Sequence, residues 1–298
     1  MRRSGRCCTS QGHVDEYALP PKYGIEETPH MHPDISEFSY GYALTETLVA
    51  NTPVRLRAAP VFPSLIEEGR KGGGYDVKLP FPGTPLFLQF KLSHRMVRNS
   101  AIEVQQGVLQ TPFFRMHLRP TKHSQQHPML LELESKGAAV FYAAPYFHTP
   151  SELNDAYIKR EVVRRSIFVK PSEIGVLPDK DDHHVAFKSG YPIRLFSETP
   201  RLVRESMDND VFLSELHEAF PNRGRLENTE ESARSWADRL EGVVRNHRWY
   251  YNWITDEKLD ALQERNPITR FSYLARTFFG CNVILVAPAT EGIESGDA

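Results

Sequence analysis

Cysteine is scarce in this chain of 298 residues. Cys7, Cys8 and Cys281 are too few and too badly spaced for a disulfide framework or a zinc site. Charge imbalance is missing too: 36 Lys and Arg against 38 Asp and Glu leave a net charge of -2. The chain as a whole therefore carries no signature of polyanion binding, and any such surface must be local. No apolar run approaches bilayer-spanning length, and the opening MRRSGRCCTSQGH lacks the apolar core of a secretory signal. Internal repeats and extended low-complexity stretches are also lacking. What remains is a cytoplasmic, reduced, globular chain with no membrane partner, built as one large domain or two small ones. Residues 1–32 read as a loosely ordered segment, as does the tail from Thr290 to Ala298.

The informative stretch runs from Gly74 to Leu92, GYDVKLPFPGTPLFLQFKL. It reads as two strands joined by the turn Phe81-Pro82-Gly83-Thr84-Pro85. Strand alternation puts Leu86, Leu88, Phe90 and Leu92 on one face and Phe87, Gln89 and Lys91 on the other. In the preceding strand Tyr75, Val77, Leu79 and Phe81 share a face, which leaves Asp76 and Lys78 opposite. Asp76, Gln89 and Lys91 can therefore project to one side of a hairpin. A run as apolar as LFLQFKL predicts a strand covered on both faces. An amide and an ammonium held there cost desolvation unless they have partners or a task.

An Asp, a turn and then acid-or-Gln-x-Lys resembles the PD-(D/E)XK nuclease superfamily. The Gln89-Phe90-Lys91 form is most similar to Mrr-type restriction endonucleases. The resemblance implies a restriction-endonuclease-like αβββαβ core with a mixed central sheet flanked by helices. It also implies Mg²⁺ (or Mn²⁺) held by Asp76, Gln89 and the Phe90 carbonyl, with Lys91 positioning the attacking water. A glutamate from the first helix commonly assists. Hydrolysis of DNA phosphodiester bonds, in defence against foreign DNA, is the activity so implied. A homodimer or a partner protein encoded nearby is the expected assembly. Tyr75 stands where the motif has proline, and Gln89 stands where it often has an acid. The second departure keeps open a non-catalytic module on the same fold, binding nucleic acid or protein. A purely structural subunit is the third reading.

The flanking elements follow that order. Pro33-Asp34 opens a helix to about Ala50, with Asp34 as cap and Glu37 three residues on. Ile35, Phe38, Tyr42 and Val49 form its apolar face, widened by Leu44 and Leu48. Glu46 shares that face and Glu37 lies near the start, so both are candidate site carboxylates. Val54 to Ala58 is a first strand, and Ser64 to Gly74 a charged connection. Beyond Lys91 come His94, Arg95, Arg98, Arg115, His117, Arg119, Lys122 and His123, with Glu103 as the lone acid among them. PFFRMHLRP reads as a strand with Arg115, His117 and Arg119 on one face. Arg95, Arg98, Arg115, Arg119 and Lys122 are therefore candidate contacts to a nucleic-acid backbone. A helix from His127 to Gly137 and the buried strand Ala138 to Ala144 complete the core.

Thr149 and Glu152 start a further helix ending in Lys159, Arg160, Arg164 and Arg165, and Ser166 to Val169 is a strand. Asp179, Asp181, Asp182, His183 and His184 read as a solvated loop, and His30 and His32 likewise carry no metal reading. Val185–Phe187 and Tyr191–Phe196 form a hairpin around Ser189-Gly190. The expected division is a nuclease-like α/β core at 33–197 and a mostly helical extension at 198–298, docked on that core. In it, helices are expected over Pro200–Phe220, from Asn228 to Trp249 and over Leu259–Leu274. Trp236, Trp249, Tyr250, Tyr251 and Trp253 would fill the junction between them. Cys281 to Ala287 is a late buried strand that must find a partner.

Overall fold

The computed structural model describes residues 30–51, 84–178, 182–197, 199–205, 212, 229–247, 249 and 253–286. Asp76, the strands expected at Val54–Ala58 and Gly74–Phe81, Asp179, Asp181, Tyr250, Tyr251 and both chain ends lie outside the described residues. So does most of the helix expected to end at Phe220.

The chain is mixed α and β, with two sheets and eight helices among the described residues. β2 (Thr84–Phe90) lies in a four-stranded sheet with β5 (Ala139–Pro145), β6 (Ser166–Val169) and β10 (Asn282–Val286), ordered β10-β2-β5-β6. β2 runs parallel to β5 and antiparallel to β10. The expected double coverage of β2 is present. Leu86, Leu88 and Phe90 enter one apolar cluster with α1 (Glu37–Asn51) and α4 (Pro150–Ile158), while Phe87 enters another. That second cluster holds residues of α3 (Gln126–Ser135), α6 (Thr229–Asn246) and α8 (Pro267–Phe279). The late strand has its partner in the motif strand itself.

The second sheet has six strands: β1 (His30–Met31), β3 (Ser93–Met96), β4 (Phe113–Leu118), β7 (His183–Phe187), β8 (Ile193–Phe196) and β9 (Arg201–Arg204). All its neighbouring pairs are antiparallel. Met116, Leu118, Val185, Phe187 and Leu195 turn one face into the core shared with the helices. The short α2 (Ile102–Gln105) lies over the other face. α5 (Pro171–Ile174) and α7 (Asp256–Gln263) complete the helices.

Several expectations are corrected. Residues 201–204 form an edge strand on β8 instead of opening a helix, because a ladder partner outweighs helical propensity. His183 and His184 belong to β7 rather than to a loop. Helix α1 begins at Glu37, and its first turn is capped by Ser36, whose Oγ accepts the Ser39 N–H at 3.0 Å. The Asp34 N–H instead donates to the His148 carbonyl. Lastly, α1 buries Tyr40, Ala43, Leu44, Thr47 and Leu48, and leaves Phe38 and Tyr42 exposed. Gly41 sets that rotation, since a Cβ there would overlap the Phe90 ring. The helix thus rests on β2 through its smallest residue with Tyr40 packed beside it, and Phe38 and Tyr42 turn outward. In the junction of the C-terminal helices Trp236 is buried against Phe87, but Trp249 and Trp253 are exposed.

Candidate functional site

The C-terminal end of β2 opens into a cavity of about 360 Å³. Gln89, Phe90 and Lys91 line it, with Glu37 and Phe38 from α1, Arg119 and Ser124 from the β4–α3 connection, and Gln126 from α3. Arg276 of α8 and Gly280 beyond it close the far wall. A parallel strand followed by a helix commonly presents its ligand-facing residues at the strand's carboxyl end. The Lys91 N–H extends the ladder to the Ala143 carbonyl at 2.9 Å, so the backbone holds the lysine in register.

Gln126 ties the site together. Its Nε2 donates to Gln89 Oε1 at 2.7 Å and to the Phe279 carbonyl at 3.0 Å. Its Oε1 accepts from Lys91 Nζ at 3.1 Å. Gln89 Nε2 donates to the Phe90 carbonyl at 3.1 Å. One amide therefore positions both motif side chains and anchors them to the end of α8. Burial draws the Lys91 ammonium below its ordinary pKa, and the charge of Arg119 adds to this while that of Glu37 opposes it. A lysine so placed gives up a proton more readily than a solvated one.

Of the two helix-1 candidates, Glu37 lines the cavity. Glu46 sits on the outward face, where its charge is felt by Tyr157 of α4. Glu46 is expected on a buried Phe38/Tyr42 face, and both aromatics of that face are exposed. Arg119 reaches the cavity, and Arg98 and Lys122 are exposed. Arg95 is half-buried on β3. Arg115 departs from the expected basic strip: its guanidinium pairs with Glu103, a fully buried carboxylate. Burial alone would raise the Glu103 pKa. Hydrogen bonds from His184 and Arg115 prevail and hold it at about 2.

Beside this pair, His32, His94, His117 and His184 stand in a row across the sheet, with neighbouring ring centres 4.8, 4.7 and 5.8 Å apart. Desolvation within the row of rings and the charges of His94, His184 and Arg115, opposed by Asp182, draw His117 below its ordinary value, although its side chain stays exposed. No three His, Cys, Asp or Glu side chains among the described residues form a metal-binding group. Toward a hard cation the lining supplies the Glu37 carboxylate, while Gln89 Oε1 and the Phe90 carbonyl already accept one hydrogen bond each and keep a second lone pair. That donor chemistry suits magnesium, provided a further carboxylate joins them.

No family model, curated protein or solved structure matches this chain.

Gln126, Arg276 and Gly280 escaped the sequence reading because they lie far from the motif and carry no anomaly of their own. Gly280 caps α8 in the left-handed region at φ +62. A Cβ there would fall 2.5 Å from Gln126 Nε2 and 2.9 Å from Gln89 Oε1. Gly280→Ala is expected to cost about 1–2 kcal/mol in backbone strain and to part the two amides. Thermal unfolding should show a midpoint lowered by a few degrees, and an unchanged midpoint would contradict the tight fit.

Proposed function

We propose that this cavity hydrolyses DNA phosphodiester bonds with the help of a divalent cation. The observation that supports the reading most is the buried Gln89–Lys91 pair, locked by Gln126 and facing Glu37 and Arg119 across one cavity. Glu37, Gln89, the Phe90 carbonyl and Asp76 are the residues that would hold magnesium or manganese. Such an ion, when bound, acidifies water and polarises the phosphate. Lys91 orients the attacking water through its ammonium protons and offsets charge growing on the phosphate. Arg119 neutralises the strand's phosphate. Gln126 keeps Lys91 Nζ at the cavity. A role in defence against foreign DNA, with DNA held through exposed cations such as Arg98 and Lys122, belongs to the same proposal.

Glu37→Gln is expected to slow Mg²⁺-dependent cleavage of DNA, offered as single strand and as duplex, by about 10- to 100-fold, and Glu46→Gln to change it by less than about threefold. Cleavage that tolerates EDTA or the Glu37 change would overturn the assignment. One observation favours a second reading, a metal-free binding module: both amide atoms of Gln89 are already engaged within the protein. Salt-sensitive DNA binding without any cutting would select it.

A further inference from the structure

Helix α1 presents Phe38 and Tyr42 to solvent, 68% and 53% exposed. Large aromatics are ordinarily buried, and side chains of this size in water point to a binding task when they adjoin a site. Phe38 lines the cavity mouth beside Lys91 and Arg119. Tyr42 follows four residues on, about 6 Å further along the same helix face. Beyond it stands Tyr157 of α4, with its ring centre 6.4 Å from that of Tyr42. Glu46 lies there too, a negative charge that bounds the track for a phosphate chain. An aromatic track thus leads away from a cavity in which Lys91, Arg119 and Arg276 outnumber the single carboxylate of Glu37.

A duplex keeps its base faces stacked inside, out of reach of such a track. An unpaired strand offers a π face at every base, and aromatic platforms beside a cationic groove bind it with little regard to sequence. We propose that Phe38 and Tyr42 stack the bases of an unpaired DNA strand whose phosphate enters the cavity between Lys91 and Arg119. This rests on the nucleic-acid reading above and narrows its substrate to single strands, ends or flaps.

Fluorescence anisotropy with the whole protein in EDTA and low salt tests it, using an oligothymidylate and a blunt duplex of equal length as probes. The single strand is expected to bind about tenfold tighter than the duplex. Phe38→Ala should weaken single-strand binding about tenfold and leave the duplex within about twofold, and Phe38→Trp should restore the preference. Equal affinity for both probes, equal loss on both, or no single-strand binding would overturn it. A change of oligomeric state in Phe38→Ala without that preference would instead make the track a contact between copies of the chain. The two proposals fail separately. Phe38-dependent strand binding without Mg²⁺-dependent cutting sinks the nuclease alone, and indiscriminate cutting of duplex and single strand sinks the track alone.

Discussion

Lys91→Met is expected to lower the rate of metal-dependent DNA cleavage by about a thousandfold while leaving the thermal midpoint within about 3 °C of wild type. The lost interaction is one made to developing charge in a partly dry site, where a single donor is worth about 3–4 kcal/mol. Stability should hold because methionine fills a similar volume and removes a desolvated cation. Replacing a buried charge with a well-packed apolar group is often neutral or better. The group left behind is Gln126 Oε1, which faces the cavity and can take water in place of Nζ. Lys91→Arg should fare almost as badly, since a planar fork cannot occupy the space of a compact ammonium. Initial rates and unfolding curves on the same preparations decide the matter. Cutting within about tenfold of wild type would place the chemistry elsewhere. A large fall in the midpoint would make Lys91 a structural residue.

The second large effect is on stability. Glu103→Ala should destabilise the protein by about 3–5 kcal/mol, because Arg115 would remain largely buried without its counter-charge. His184, whose Nε2 lies 2.8 Å from Glu103, would lose its partner as well. The pH dependence follows from the same groups. Glu103 is held at about 2, below its ordinary value, so its contribution is complete above about pH 4.5 and is lost as pH falls toward 2. His127 is buried, with Nε2 donating to the Gly175 carbonyl at 2.7 Å and Nδ1 3.0 Å from the Tyr142 hydroxyl. Gly175 offers only an acceptor, so the Nε2 hydrogen is fixed and Nδ1 is left to accept. Burial holds His127 at about 4 despite that carbonyl. The unfolded chain takes up the proton first, near pH 6.5. Stability therefore declines from about pH 6.5 to 4, by roughly 3 kcal/mol for His127 alone. Midpoints measured from pH 7 down to 3 should fall throughout, and Glu103→Ala should flatten only the part below about 4.5. A level profile between pH 7 and 5 would rule out a neutral His127.

Where the sequence was readable, the reason was local. The run Leu86 to Phe90 is apolar on both faces, and β2 is covered on both. The capping box of Thr149 and Glu152 forms as spaced, with the Thr149 Oγ1 accepting from the Glu152 N–H at 3.3 Å. The pattern misleads on the buried face of α1 because side-chain hydrophobicity favours Phe38 over Gly41, whereas contact with Phe90 demands the residue with no side chain. Glu103 passed for a stray acid in a basic stretch, and nothing in the spacing shows that its partner is Arg115 twelve residues on. Gln89 and Lys91 were legible as anomalies in an apolar strand. Gln126 and Gly280 were not, since a neutral amide at a helix start and a helix-ending glycine are both ordinary until the fold brings them together.

The contact between Gln126 and Phe279 spans 153 residues, and β10 seals the outer side of β2. Such distant closures come late, after the loops between them have lost their freedom. During synthesis the ribosome releases Glu37, Gln89 and Lys91 long before α8 and β10 exist. A half-made chain holds these side chains but not the walls that aim them, so the cavity is complete only once α8 and β10 have docked. Under the proposed nuclease function, timing of this kind would keep nascent chains from cutting nucleic acid without any dedicated inhibitor.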